Sequence, residues 1–229
     1  MMERAQAALH HNHWFEAERL ALRGLEMART ARDFGLMARI VLPLQEARRQ
    51  RLQQAFDVGS LRIVDESFGE DVRVDPGCYL VQPPLVGADA RRLRLAALEQ
   101  EVPAAILCRE PQTKLKLCPL VAIGQVTIRT KIDPPKRWDH PTLEWFASAM
   151  EALGDAAIET LEVDGDPIRL VDALLARLDA MPDHEKLHQA LAEACRCAAK
   201  AIAEGRVQPD PEPRGYEDPS DDDGADGDD

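Results

Sequence analysis

CYLVQPPLVGADARRLRLAALEQEVPAAILC, residues 78–108, holds the pattern from which an architecture can be read. Cys78-Tyr79-Leu80-Val81 and Ala105-Ile106-Leu107-Cys108 are apolar runs of strand length. Between them, Ala88 to Gln100 is long enough for a helix, with Leu93, Ala96, Ala97 and Leu98 expected inward and Arg91, Arg92 and Arg94 outward. Strand, helix, strand in this order is a βαβ unit. Its crossover makes the two strands parallel neighbours and is right-handed.

On either side of this unit, more short runs read as strands: Leu61-Arg62-Ile63-Val64, Leu120-Val121-Ala122-Ile123 and Val126 to Ile132. Gly124-Gln125 between the last two suits a tight hairpin or a glycine bulge. Residues 59–135 are therefore expected to form a small mixed sheet of four or five strands, closed by Pro134-Pro135.

Further out the period changes to that of helices. Within residues 1–58, Ala5, Ala8 and Leu9 begin one helix and Asn12-His13 breaks it. A second helix, Trp14 to Ala31, carries Trp14, Ala17, Ala21, Gly24, Leu25 and Ala28 on one stripe. A third starts at Asp33 as N-cap and turns Phe34, Met37, Ile40, Val41, Leu44 and Ala47 inward, with a kink or break expected at Pro43. Residues 136–206 are helical again. His140-Pro141 reads as one start, with Leu143, Phe146, Ala147 and Met150 as a stripe that Gly154 interrupts. Asp166-Pro167 reads as a second start, ahead of Ile168, Val171, Leu174, Leu175 and Leu178. After Met181-Pro182-Asp183 a last helix runs to about Glu204, with Gly205 as its C-terminal cap. Residues 207–229, rich in Pro, Asp and Gly, are expected to be a disordered acidic tail. The fold class expected is α+β, mostly helical.

Composition bounds the function. Apolar residues make up 45% but aromatics only 4%, so the core is built from Leu, Ala, Val and Ile. The net charge is −13, and residues 208–229 hold ten acidic side chains against one Arg, which leaves the remainder near neutral. With no basic face, nucleic acid is not an expected partner. No run long and apolar enough for a membrane span occurs. Five cysteines without a Cys-x-x-Cys pair or a secretion signal read as reduced thiols in a cytoplasmic protein.

Trp14-x-x-Ala17-x-x-x-Ala21-x-x-Gly24-Leu25 resembles the second helix of a tetratricopeptide repeat, with Asn12-His13 where that family has a Gly-Asp turn. The resemblance covers the N-terminal 35–55 residues, in a single copy. It implies a helical hairpin whose small residues let paired helices approach closely and whose role is to bind another protein.

His184-Glu185-Lys186-Leu187-His188 matches H-E-x-x-H. Two imidazoles four apart on a helix can share one Zn²⁺, and the Glu can take a proton from zinc-bound water. These five residues are similar to the zinc metallopeptidases. That similarity implies His184 and His188 as zinc ligands and Glu185 as general base. The departures are that Pro182 puts the motif in a first turn, that Leu191 and Ala194 stand where the extended motif has Gly and a third His, and that Cys195 is all that offers a third ligand. The opposing reading is that both rings pack at a helix start, with Asp183 and Glu185 favouring the helix dipole. The leading expectation is thus a non-catalytic protein-interaction or scaffold protein without a cofactor. A zinc-dependent hydrolase is the alternative. Weaker candidates are the histidines 10, 11 and 13 beside Trp14, the pair Cys108 and Cys118, and an anion at Gly87-Ala88-Asp89.

Overall fold

Apolar residues recurring every third or fourth position fold the N-terminal segment into α1 (Met2–His10), α2 (Trp14–Thr30) and α3 (Phe34–Asp57) in the computed structural model, which describes residues 1–161 and 165–207. Ala17, Ala21, Gly24, Leu25 and Ala28 form the buried face of α2, and Asp33 caps α3 by accepting from the Leu36 amide at 2.8 Å. Of the kink or break expected at Pro43, the break does not occur: α3 runs through it as one helix. A proline in a helix interior costs about 3 kcal/mol. Each fully buried large apolar side chain stabilises by about 1.5–3 kcal/mol, and α3 buries Phe34, Met37, Ile40, Val41 and Leu44 on one face. The carbonyl deprived of its donor belongs to Arg39, an exposed residue.

The sheet has five strands in sequential order: β1 (Leu61–Val64), β2 (Gly77–Val81), β3 (Ala104–Arg109), β4 (Cys118–Ile123) and β5 (Thr127–Ile132). β2 and β3 are parallel, as the βαβ reading requires, with α4 (Gly87–Glu99) as the crossover. β1 and β2 are also parallel, joined by residues 65–76 without a helix. β3, β4 and β5 form an antiparallel meander. β4 begins at Cys118 and so includes Pro119, a residue that argues against a strand in sequence.

Alternation along the strands divides the sheet into two faces. Cys78, Leu80, Ala105, Leu107, Cys118, Leu120 and Ile128 point into the main core with α3 and with α5 (Leu143–Glu159) and α7 (Glu185–Ala203). Tyr79, Val81, Cys108 and Val121 point the other way, against Leu93 and Ala97 of α4 and Val74 of the β1–β2 connection. α6 (Pro167–Ala180) lies along α7, with Asp166 as its N-cap as expected. The molecule is α+β and mostly helical. Its N-terminal helices, sheet and C-terminal helices contribute to one continuous core.

Two further expectations change. α5 starts at Leu143 with Thr142 as its cap, its hydroxyl accepting from the Trp145 amide at 3.2 Å, rather than at His140-Pro141. Gly154 does not interrupt α5: the helix passes through it, and the missing side chain makes room for a neighbouring ring. The tail from 208 onward lies outside the described residues. No helix among the described residues is long and apolar enough to cross a membrane.

Candidate functional site

The inner faces of α2 and α3 are not wholly apolar. Glu18 falls on the buried stripe of α2, while Arg48 and Arg51, one turn apart on α3, fall on the stripe that also carries Leu44 and Ala55. The Glu18 carboxylate is 3% exposed and accepts from Arg48 Nε at 2.7 Å, and its second oxygen lies 2.9 Å from Arg51 Nε. Burial by itself would raise this carboxyl, but the guanidinium groups of Arg48 and Arg51 outweigh it and hold Glu18 below the usual carboxylate range. Arg48 also donates to the Pro182 carbonyl at 3.3 Å, Arg51 stands 3.6 Å from Asp183, and the Arg51 guanidinium lies over the Phe15 ring. Burial pushes the Asp183 carboxyl up, against the opposing pull of Arg51 and Arg48. Arg94 turns out to be partly buried rather than outward. It donates to the Asp179 carbonyl at 2.8 Å, because the last turn of α6 reaches that part of α4.

These charges form the floor of a cleft of about 450 Å³ between α2, α4 and α6, walled by Leu22, Leu25, Leu95, Leu98, Leu175 and Leu178. It continues into a depression of about 300 Å³ that shares Glu18, Leu22, Leu95 and Leu98 and ends at Phe15 and Glu99. The two together make one elongated groove. Leu22 and Leu95, on its opposite walls, remain 37% and 47% exposed.

The H-E-x-x-H segment lies beneath this floor, and its three side chains have different sets of partners. His184 is the N-cap of α7 rather than a helical residue. His188 donates from Nδ1 to the His184 carbonyl at 2.9 Å, which leaves Nε2 as the acceptor facing Arg48 Nη1 at 3.4 Å. Burial and the Arg48 charge push His188 down to about 3, so its ring is neutral at physiological pH. Glu185 points outward and accepts from Gln45 and Gln189, both at 3.1 Å. Cys195 is buried in the core, its thiol pushed up to about 12. The His184 ring turns toward α5, away from these groups.

The weaker candidates are scattered. His10, His11 and His13 are exposed at the α1–α2 turn. Cys108 and Cys118 are buried and unpaired on opposite faces of the sheet, in separate apolar clusters. Asp89 closes the start of α4 by accepting from the Val86 amide at 2.9 Å. The sequence reading missed the charged floor. Its signal was present as charged residues at stripe positions, Glu18 three before Ala21 and Arg48 four after Leu44.

Compared with models of known families, with characterised proteins and with solved structures, the chain matches none.

Proposed function

We propose that this is a non-catalytic protein-interaction protein whose groove between α2 and α4 receives a segment of another protein. The carrying observation is the exposed leucine pair, Leu22 and Leu95, facing across an elongated cleft with a charged floor. Two large apolar side chains left open on opposite walls of one groove suit the anchors of a peptide or helix. The cleft is lined by Arg29, Arg48, Arg51 and Arg94 and by Glu18, Glu26, Asp179 and Asp183, a balanced set that selects orientation more than net charge. The expected ligand segment therefore carries apolar anchors flanked by a charged or hydrogen-bonding group. The tetratricopeptide-like stripe of α2 gives the cleft only Leu25; its small residues face the core and set the position of the helix that carries Leu22.

The test compares wild type with a Leu22→Glu/Leu95→Glu variant. Affinity capture from native extract and size-exclusion elution are read together. The expected result is a stoichiometric complex with wild type that the variant does not form, at equal thermal stability. A wild-type protein that elutes alone and captures nothing in stoichiometric amount sinks the proposal, as does capture that survives both substitutions.

A further inference from the structure

Glu151 and Asp155 stand one turn apart on α5 and project toward the start of α7. The His184 imidazole lies against α5 between them. Its Nε2 is 3.3 Å from Asp155 Oδ1 and 3.6 Å from Glu151 Oε2, and one ligand atom from each of the three residues falls within 4.8 Å of the others. Among the described residues this is the one such group of three His, Cys, Asp or Glu side chains.

Two observations set it apart from an ordinary acidic patch. The His184 side chain is 2% exposed, yet among the described residues neither of its ring nitrogens has a hydrogen-bond partner. A buried imidazole without a partner is costly, and Nε2 is aimed at the two carboxylates. The ring is also held in place. Gly154 lies beneath it, and a Cβ there would stand 2.2 Å from Cγ and Cδ2 and 2.7 Å from Nε2. The fold thus leaves out a side chain where the imidazole must lie flat on α5.

We propose that Glu151, Asp155 and His184 form a binding site for a divalent transition-metal ion, zinc by preference. In a tetrahedral site with bonds near 2.0–2.1 Å, neighbouring ligand atoms lie about 3.3–3.4 Å apart. The two histidine–carboxylate separations are already close to that value, and the three ligand atoms lie within 4.8 Å of one another. One imidazole and two carboxylates suit zinc; calcium and magnesium prefer all-oxygen surroundings. Three protein ligands leave a fourth position open to water or to an incoming group. Beside it lies a recess of about 200 Å³ lined by Leu52, Phe56, Ala147, Met150 and Met181.

Lys186 is the fourth charged group at this place. Its ammonium lies 2.8 Å from Glu151 Oε1 and from Asp155 Oδ1. It is half exposed on a flexible stem, so an entering dication displaces it into solvent and competes with it for the same oxygens. The site differs from the one that H-E-x-x-H spacing suggests: it uses His184 with two residues of α5, and leaves out His188 and Glu185.

The test uses full-length protein and zinc chloride alone, with binding read by competition against a chromophoric chelator and with Co²⁺ substitution read by visible absorption. About one equivalent is expected, with a tetrahedral cobalt spectrum. Glu151→Gln and Asp155→Asn, both at partly exposed positions, should each weaken binding at least about tenfold. Lys186→Ala should tighten it severalfold. His188→Ala, checked for folding by circular dichroism, should retain the metal. Stoichiometry below about one tenth of an equivalent overturns the proposal. So does undiminished binding by the Glu151→Gln/Asp155→Asn double variant. Loss of metal in folded His188→Ala would also overturn it, by placing the ion at the H-E-x-x-H pair.

Discussion

A methyl group added at Gly154 would stand 2.2 Å from two carbons of the His184 ring, far inside contact distance. Helix propensity alone favours Ala over Gly by about 1 kcal/mol, so the sign of Gly154→Ala tests whether the ring is held. Overpacking of a well-packed site costs about 1–3 kcal/mol. A lower urea midpoint at unchanged slope is expected, and a raised midpoint would show that the ring moves aside freely. Glu18 poses the opposite problem. Glu18→Gln takes from the buried Arg48 and Arg51 the carboxylate they share, leaving Asp183 at 3.6 Å from Arg51, a loss of about 3–5 kcal/mol for a broken buried pair. The same carboxyl makes stability depend on pH. Held below its ordinary value of 4.5 in the fold, it binds fewer protons than in the unfolded chain as acid is added. Its contribution is therefore complete above about 4.5 and is lost as pH falls through the lower folded value. A pH series of denaturant midpoints should show this acid limb, flattened in Glu18→Gln. The apolar members of the α2 stripe were legible in sequence, but Glu18 was not picked out among them. Periodicity scores where a residue points; it does not say that two arginines of the next helix point at the same place.

At the scale of elements, helix starts separate by capping chemistry. Asp33, Thr142 and Asp166 each accept a backbone amide from the first turn of α3, α5 and α6, whereas His13 and His184 make no side-chain cap bond. Replacing any of the three oxygen caps by Ala should cost about 1 kcal/mol. His13→Ala should leave the thermal midpoint unchanged; a shift as large as that of Asp166→Ala would contradict this division. Asp33 and Asp166 were legible because each stands just before an apolar stripe. Thr142 was hidden behind Pro141, which itself looks like a first-turn residue. Gly154 misled in the same way, and the break that Pro43 allowed does not occur. Both are helix breakers by local preference, and at both tertiary contacts from other elements outweigh that preference.

For the molecule as a whole, the mixed sheet and the parallel β2–β3 pair were legible from residues 78–108, because a strand, a crossover helix and a strand leave few topologies open. The parallel pairing of β1 with β2 was not, since residues 65–76 carry no helix to announce a crossover. The groove was beyond reach of sequence for a related reason: Leu22, Leu95 and Leu175 are far apart in the chain and meet only when the layers close. That closure also makes a prediction for the folded protein. Leu22 and Leu95 sit on the rim and not in the core, so Leu22→Glu/Leu95→Glu should change partner retention and leave the denaturant midpoint where it was.

α3 packs along α7, so the beginning of the chain finds a main helical neighbour at its far end. On a ribosome this has a cost in time. α3 emerges with the side that faces α7 bare, and well over a hundred further residues must be translated before α7 arrives to cover it. Until then the nascent chain offers a sticky surface to whatever is nearby, and prematurely terminated products should be held by chaperones or degraded.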